Sequence, residues 1–330
     1  MNQIINVIVP VHQAETFLDR CLSSIANQTY RNIHTILVEN GSNDNSLEIC
    51  RKWCESDERF EVISLKDNYG AGIARNTGLD KVTSMDGYIA FVDADDYLHP
   101  TYLEYLLKLL IDNNADISWC GVNNTFEKEK MVFDDFSDDD EIYTIGAKEL
   151  LSREDLRIMY SMVWGKLFKS HLWKNVRFDL KYKYYEDGGT TFRAIYNADK
   201  VAVSNRKLYN YFYSDNSSIR SDVTERKLRD GIETELDKIR FYQKENEDNL
   251  YNMAYVAYLN TLLKSCRLVK SNGLGKKLYK EFFVDYKKNY KKVVKNPDLS
   301  KGQRIKFIVY RFAPWLQEIY IKLKMKKMGY

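Results

Sequence analysis

Short apolar runs alternate with helix-like segments up to residue 92. The apolar runs are nearly continuous, which is typical of strands buried on both faces of a sheet. They cover residues 4–10, 33–38, 60–65 and 87–92. The segments with a helical apolar period cover residues 15–27, 46–56 and 71–81. This alternation predicts an α/β fold with a doubly wound, mainly parallel sheet, in which ligands bind beyond the carboxyl ends of the strands.

The fourth apolar run ends at three carboxylates within four positions: Asp93, Asp95 and Asp96. Side chains two positions apart on an extended chain face the same way, so Asp93 and Asp95 can share one site. Carboxylates this close disfavour each other's ionised form unless a cation lies between them. Mg²⁺ takes one or two protein carboxylates and completes its shell with water and phosphate oxygens. The pattern indicates a metal–diphosphate site; the alternative is an acidic turn in which Asp96 caps the next helix.

Two further segments contain the residue types of a binding or catalytic site. Gly70 and Gly72 allow a ligand to approach the backbone at a helix start, where Arg75 can reach an anion. The alternative there is an ordinary strand–helix turn with a surface arginine. Glu186 and Asp187 follow a run of aromatic residues. They can stabilise the start of the next helix through its dipole, or one of them can have a raised pKa and serve as a general base.

Three segments after residue 120 have weaker patterns. Residues 127–141 are typical of a solvated loop, residues 147–160 indicate a helix, and residues 201–203 form a short apolar piece.

The composition of the chain changes near residue 222, where we place a domain boundary. From residue 224 onward the pattern is helical and rich in lysine, which favours contact with an anionic surface. Residues 306–316 are apolar, aromatic and flanked by cations, as in a helix that lies in a membrane interface. The alternatives are a helical layer packed on the rest of the chain, or a homodimer contact through the tyrosine-rich residues 251–262. No DNA- or RNA-binding module is apparent, so we expect no nucleic-acid partner.

The sequence also bears on the compartment in which the chain works. It contains no apolar run of about 18 residues, the length of a membrane-spanning helix. Its first residues lack the order of a secretory signal peptide. We expect a cytoplasmic protein that can lie peripherally on the inner face of the cell membrane.

Ordered motifs over residues 4–220 resemble the family-two glycosyltransferases with the GT-A fold, in particular bacterial enzymes that build capsular, exopolysaccharide or cell-wall glycans. The motifs, in chain order, are 7–11 (VIVPV), 28–30 (QTY), 37–46 (LVENGSNDNS), 68–78 (NYGAGIARNTG), 91–96 (FVDADD), 164–168 (WGKLF), 186–187 (ED) and 216–219 (NSSI).

The resemblance implies a site for a nucleotide sugar. It places Pro10, Val11 and His12 beside the nucleotide base, and Glu39 where the family usually has an aspartate that bonds uracil. His12 and Glu39 both depart from the usual residue, which leaves the nucleobase preference open. The other donor-site positions that it implies are Asn68, Ala94, Trp164, Lys166, Glu186 and Ser218, the last within a loop (213–219) that closes over the diphosphate.

The resemblance also implies the groups that act on the reacting atoms. Arg75 is expected to contact the nucleotide side of the donor, and Asp93 to bond the ribose or the metal shell. Asp95, with Asp93, is expected to ligate Mg²⁺ or Mn²⁺, and Asp96 to touch the donor sugar. Asp187 matches the catalytic base of the family.

We therefore expect an inverting glycosyltransferase that moves a hexose or N-acetylhexosamine from a UDP-sugar to a hydroxyl of a glycan, which can be lipid-linked. Residues 1–222 would form the GT-A catalytic domain, with a nucleotide-sugar half (about 1–100) and an acceptor half (about 101–222). Residues 223–330 would form a basic, helical region. The alternatives are a non-catalytic nucleotide-sugar-binding subunit of a polysaccharide synthase complex and, less favoured, a nucleotidyltransferase.

Overall fold

The protein is described here from a computed structural model, which covers residues 3–82, 84–126, 131, 133, 140–213, 222–316 and 319. The chain divides into two compact units, Met1–Ser221 and Asp222–Tyr330. The first unit is α/β and the second is helical.

One mixed sheet forms the centre of the first unit. Within the described residues its strands are β1 (Ile5–Val11), β2 (Ile33–Asn40), β3 (Phe60–Leu65), β4 (Tyr88–Phe91), β5 (Tyr97–Leu98), β6 (Ile117–Thr125), β7 (Ile142–Gly146), β8 (Lys166–Lys169) and β9 (Lys200–Phe212). The strand order is β3-β2-β1-β4-β8-β6-β9-β5, and β7 pairs with β9. Strands β3, β2, β1 and β4 run parallel, whereas β8 is antiparallel to both β4 and β6.

Helices cover the sheet of the first unit. They are α1 (Leu18–Ala26), α2 (Ser46–Ser56), α3 (Ala71–Lys81), α4 (Tyr102–Asp112), α5 (Ala147–Ser152), α6 (Arg157–Ser161) and α7 (Thr191–Tyr196). A main hydrophobic core includes the buried side chains of β1 and the apolar faces of α1 and α4. Helix α3 lies close to β1 because Gly78 has no side chain: a Cβ there would stand 2.5 Å from a methyl group of Ile8. The α/β fold and the mainly parallel sheet predicted from the sequence are confirmed.

The register of the parallel strands brings their carboxyl ends to one edge of the sheet. Val11 of β1 is level with Glu39 of β2, and Ile8 is level with Phe91 of β4. The turn after β2 also meets the turn after β3. Gly41 has a φ of +64°, and a Cβ there would stand 2.4 Å from the carbonyl carbon of Asp67. A residue with a side chain would be both strained and too large at this position.

Two sequence-based expectations differ from the structure, and one strand was not expected. Residues 147–160, predicted as one helix, form α5 and α6 with a 3₁₀ turn between them, because Arg153 adopts an extended backbone (φ −84°, ψ 102°). Most of the predicted loop at 127–141 lies outside the described residues, and β7, which follows it, was not predicted from the sequence. Residues 201–203, predicted as a short apolar piece, belong to a strand of 13 residues.

The described part of the second unit is helical throughout, and the predicted helical region is confirmed. Its described helices are α8 (Glu225–Lys244), α9 (Asp248–Ser271), α10 (Lys276–Val294) and α11 (Lys301–Phe312). Each helix packs on the next one. Helix α11 begins with a capping box between Ser300 and Gln303, and Tyr286 of α10 donates a hydrogen bond to the Phe307 carbonyl (2.7 Å). None of the described helices is both long and apolar enough to cross a membrane.

Candidate active site

Arg75 joins three carboxylates from two distant parts of the chain. Its Nη1 donates to Glu186 Oε1 and Asp187 Oδ1, and its Nη2 donates to Asp93 Oδ1, each at 2.8 Å. The guanidinium is only 3% exposed and lies over the ring of Phe178. Burial disfavours its charge, but the three carboxylates outweigh this effect and raise the pKa of Arg75. One cation thus faces three acidic groups, and the cluster keeps an excess of negative charge.

Asp187 has the electrostatic environment of a general base. Burial raises its pKa to about 7, while Arg75 opposes this shift and Glu186 and Asp93 add to it. The backbone N–H of Val163 also donates to this carboxylate. A group with a pKa near neutrality can hold and release a proton at the pH of the cell. The structure therefore gives Asp187 the property that its expected role requires.

The two remaining aspartates of the 93–96 segment have different surroundings. Asp95 is half-buried, and burial together with the neighbouring Asp93 raises its pKa to about 6. Asp96 is fully buried: its Oδ2 accepts from the Tyr209 hydroxyl (2.6 Å) and its Oδ1 from the Phe212 N–H (2.8 Å). Asp96 thereby fastens β9 to the end of β4, and its contact with a donor sugar stays a prediction.

The alternative explanation of the 93–96 segment, a helix cap at Asp96, is wrong. The N-cap residue of α4 is Thr101, and no side chain caps this helix terminus. Asp96 instead uses both carboxylate oxygens within the first unit, as described above.

A carboxylate pair suitable for a divalent cation is present, although the described residues contain no complete metal site of three or more His, Cys, Asp or Glu side chains. Asp93 and Asp95 are close enough for the charge of one to raise the pKa of the other. The raised pKa means that ionisation of Asp95 is costly without a nearby cation. Two carboxylates suffice for Mg²⁺ when phosphate oxygens and water complete the shell. The residues fit the expected ion.

The residues expected beside the nucleotide base meet at the ends of β1, β2 and β3. His12 Nε2 and Asn68 Nδ2 lie 2.8 Å apart, and Asn68 Oδ1 accepts from the Gly70 N–H (2.9 Å). Val11 is fully buried and Pro10 is half-buried. Glu39, only 2% exposed, accepts from the Ser42 N–H and the Ser64 hydroxyl. Both oxygens of Glu39 thus hold the turn together, and its bond to uracil stays a prediction.

Lys166 stabilises the segment 159–164, in which the Val163 N–H donates a hydrogen bond to Asp187. Its buried ammonium donates to the carbonyls of Met159 (3.0 Å), Met162 (2.8 Å) and Trp164 (3.3 Å). Burial lowers the pKa of Lys166 to about 7, while the charge of Asp187 opposes the shift. Three carbonyl acceptors match the three N–H groups of a protonated lysine. Lys166 is therefore placed to support Asp187 indirectly.

Trp164 lies at the centre of a stack of aromatic rings. Its ring centroid is 4.8 Å from that of Tyr209 and 5.3 Å from that of Tyr211, with interplanar angles below 20°. The hydroxyl of Tyr209 also accepts from the backbone N–H of Asp93 (3.2 Å). Trp164 is thus linked to the carboxylate cluster through Tyr209. Ala94 is buried in the turn between Asp93 and Asp95, and Ser218 lies outside the described residues.

Comparison with known proteins identifies the family of the segment that supplies Arg75, Asp93 and Asp95. Residues 6–132 match the family described as Glycosyl transferase family 2. The match assigns residues 6–132 of the chain to this family. Its fold is also that of the solved structure of S. aureus TarS 1-349 in complex with UDP-GlcNAc, with a TM-score of 0.61 at 18% identity over 80% of this chain and 81% of TarS. The resemblance found in the motifs is confirmed.

Two glycosyltransferases of Streptococcus pneumoniae serotype 4 match different lengths of this chain. GlyA is 36% identical over 213 residues, which are 63% of this chain but only 30% of GlyA. GlyG is 27% identical over 317 residues, which are 94% of this chain and 95% of GlyG. The chain thus spans less than a third of GlyA and nearly all of GlyG.

Three groups that shape this candidate site were not predicted from the sequence. Tyr209 connects Asp93 with Asp96, and the Val163 N–H bonds Asp187. Arg20 of α1 donates to the Asp95 carbonyl (2.6 Å) and is only 8% exposed. Of these groups only Arg20 could have been noticed in the sequence, because it is a cation within a helix that has a strong apolar period. A backbone N–H and a strand tyrosine leave no such signal.

Proposed function

We propose that this protein is an inverting glycosyltransferase that moves a hexose or N-acetylhexosamine from a UDP-sugar to a hydroxyl group of a glycan acceptor. The observation that carries the proposal is the cluster at Arg75, which places Asp93, from the expected metal–diphosphate segment, and Asp187, the expected base, on one guanidinium. The family-2 domain supports the reaction class. The UDP-GlcNAc bound by TarS, a protein of the same fold, supports a UDP-sugar as the donor.

The donor's diphosphate is proposed to lie at Asp93 and Asp95. These two carboxylates would hold Mg²⁺ or Mn²⁺, which when bound acts as a Lewis acid for the charge that grows on the leaving diphosphate. The negative excess of the cluster favours a divalent cation and would otherwise repel the donor's phosphates. Arg75 holds Asp93 through an ion pair of 2.8 Å. His12, Glu39 and Asn68 would lie around the base, with the nucleobase preference set at that edge.

Asp187 is proposed to take the proton of the acceptor. The acceptor oxygen attacks the anomeric carbon as its O–H proton moves to an Asp187 oxygen, and the bond from the anomeric carbon to the diphosphate oxygen breaks. The electron pair of that bond leaves with UDP. A single displacement inverts the configuration at this carbon. Because burial raises the pKa of Asp187 to about 7, its carboxylate is basic enough to accept the proton.

The variant Asp187→Asn tests this proposal. We expect it to lose a factor of about 10²–10⁴ in kcat, the range for removal of a positioned base, while its affinity for UDP is retained. UDP release from a panel of UDP-sugars with Mg²⁺ or Mn²⁺ and an acceptor measures turnover, and calorimetry measures UDP binding. Asp179→Asn, an exposed acid that pairs with Lys181, is the matched control and should keep full activity.

Two outcomes would contradict the proposal. Wild-type turnover in Asp187→Asn would remove the residue from the role of base. Binding of UDP-sugars by the wild-type protein without any release of UDP would instead favour the non-catalytic subunit of a polysaccharide synthase complex.

Several parts of the expected function extend this proposal to the whole chain. They are the division of the first unit into a nucleotide-sugar half and an acceptor half, a lipid-linked acceptor, a homodimer, and a cytoplasmic location with peripheral contact to the membrane. Each is compatible with a family-2 glycosyltransferase domain, and each needs its own measurement.

A further inference from the structure

Helix α11 has apolar side chains on two opposite sides. On one side Phe307 and Tyr310 are buried, at 1% and 5% exposure, within the second unit. On the other side the exposed fractions are 57% for Ile305, 38% for Ile308 and 72% for Phe312. Residues 305, 308 and 312 are three and four positions apart, so they share one face of the helix. This second side is not needed to pack the helix.

The exposed apolar face continues past the end of α11. Trp315 is 57% exposed and follows Phe312 by a further three positions. We call Ile305, Ile308, Phe312 and Trp315 the α11 face. Scattered exposed apolar residues are ordinary on a protein surface, but a contiguous row with two large aromatic rings indicates an interaction site.

Positive charge surrounds the α11 face. Residues 300–316 contain Lys301, Arg304, Lys306 and Arg311 and no aspartate or glutamate. The neighbouring helix α10 also presents a row of exposed lysines at helical spacing, in which the 43% exposed Val284 and the exposed Glu281, paired with Arg229, also lie. These lysines are Lys277, Lys280, Lys287, Lys288, Lys291 and Lys295. The partner of this surface should therefore carry negative charge and accept aromatic and aliphatic side chains.

We propose that the α11 face docks on an anionic membrane surface. The side chains of Phe312 and Trp315 would enter the boundary between lipid headgroups and acyl chains, and the lysines would lie on lipid phosphates. A second copy of this chain fits less well, because two such helices would bring eight like charges from residues 300–316 together without a counter-charge. Membrane docking would explain why residues 300–316 combine this apolar row with basic side chains and no acidic ones.

This docking does not depend on the transferase chemistry, although a lipid-linked acceptor would give it a purpose. Asp187→Asn should therefore bind vesicles as the wild type does. A failure of the proposed reaction and a failure of the proposed surface are thus separate results.

Vesicle flotation with the full chain tests the proposal. We expect binding to phosphatidylcholine vesicles that contain phosphatidylglycerol, little binding to pure phosphatidylcholine, and release at high salt. The double variant Phe312→Ser/Trp315→Ser should weaken binding at least about tenfold, because both rings that enter the apolar part of the interface are removed. Leu180→Ser, which removes a 62% exposed side chain from the first unit, is the control and should bind as the wild type.

Three results would overturn the proposal. One is equal vesicle binding by the double variant and the wild type. Another is binding that is independent of phosphatidylglycerol. The third is a dimer, detected by analytical ultracentrifugation of the wild type, that the double variant dissociates, since a second copy would then cover the α11 face. Both substitutions lie at exposed positions, so thermal unfolding of the double variant should match that of the wild type.

Discussion

Carboxylates stand at the carboxyl ends of β2 and β4, the two strands that flank β1, and the protein uses them in opposite ways. At the end of β2, Glu39 accepts hydrogen bonds from the backbone N–H of Ser42 in the following turn and from the hydroxyl of Ser64 on β3. At the end of β4, Asp93 and Asp95 join a cluster in which one arginine faces several acids. The first carboxylate stabilises a turn, whereas the second group keeps a charge excess that a ligand can neutralise.

This difference shows that an acid at a strand end is not by itself a sign of a binding residue. The useful distinction is whether the protein supplies enough donors for the acid. Glu39 has a donor for each oxygen. Asp187 has donors from Arg75 and Val163, yet burial and its acidic neighbours still raise its pKa.

The largest effect is expected from the variant Arg75→Met, which removes the cation of the cluster. Three carboxylates would then face each other without compensation, and loss of one partner from a buried ion pair costs about 3–5 kcal/mol. We expect this loss in the free energy of unfolding, measured by urea denaturation, and a larger loss at pH 8 than at pH 5, where more of the carboxylates are protonated. UDP release should be abolished.

The control for that variant is Lys108→Met, which breaks an exposed ion pair with Asp112 on α4. Its effect should be below about 1 kcal/mol. If Arg75→Met were as stable as this control at pH 8, the idea that the cluster holds an uncompensated charge would be wrong.

A smaller effect is expected from Lys166→Met, which leaves three buried carbonyls without their donor. We expect a loss of about 1–3 kcal/mol in the free energy of unfolding. Because the positive charge of Lys166 favours ionised Asp187, its loss should also raise the pKa of Asp187. The acid limb of kcat/KM against pH, expected near 7 in the wild type, should move to higher pH.

Lys169→Met provides the comparison for Lys166→Met. Lys169 is on the same strand and pairs with Asp116, so its loss should leave the pH profile unchanged. An unchanged profile in Lys166→Met as well would show that Lys166 stabilises the fold without tuning Asp187.

The smallest effect, of about 1 kcal/mol as for a single hydrogen bond, should have opposite signs at Asp187 in the Arg75 cluster and at Glu39 at the end of β2. A carboxyl group whose pKa is raised by folding contributes stability below its unfolded pKa and loses it as pH rises through the folded value. For Asp187 that window runs from about 4 to about 7. At pH 8, Asp187→Asn should therefore raise the free energy of unfolding. Glu39→Gln should lower it, because charge-assisted hydrogen bonds are lost.

Thermal and urea unfolding of both variants at pH 5 and pH 8 would measure this contrast. The increase in Asp187→Asn should shrink at pH 5, where the wild-type carboxyl group is largely protonated. A decrease of equal size in both variants would contradict the distinction between Asp187 in the Arg75 cluster and Glu39 at the end of β2.

The sequence predicts the parallel half of the sheet well, because β1, β2, β3 and β4 are short apolar runs separated by clear helices. Strand β9 was harder to predict, since residues 204–207 in its middle (SNRK) are polar. The break at Arg153 depends on one residue's backbone angles and has no periodic signal. Local pattern therefore determines the elements where burial is uniform, and tertiary contacts determine them elsewhere.

The candidate site divides in the same way. The acids at 93, 95, 186 and 187 stand out in the sequence because they follow apolar or aromatic residues. The shared partner of Asp93, Glu186 and Asp187 could not be predicted, since Arg75 is separated from Asp187 by more than a hundred positions. Asp96 is similar to its neighbours in the sequence. Only the structure shows that both of its carboxylate oxygens accept hydrogen bonds, from the Tyr209 hydroxyl and the Phe212 N–H.

The span of the Arg75 cluster also limits how the chain can be shortened. The family match ends at residue 132, whereas two of the three acids held by Arg75 come from positions 186 and 187. A fragment cut at the end of the match would retain the arginine and lose two of its counter-ions, together with β8 and β9 of the sheet. The matched N-terminal segment therefore lacks part of the candidate site, and deletion studies on this protein should keep residues 1–213 together.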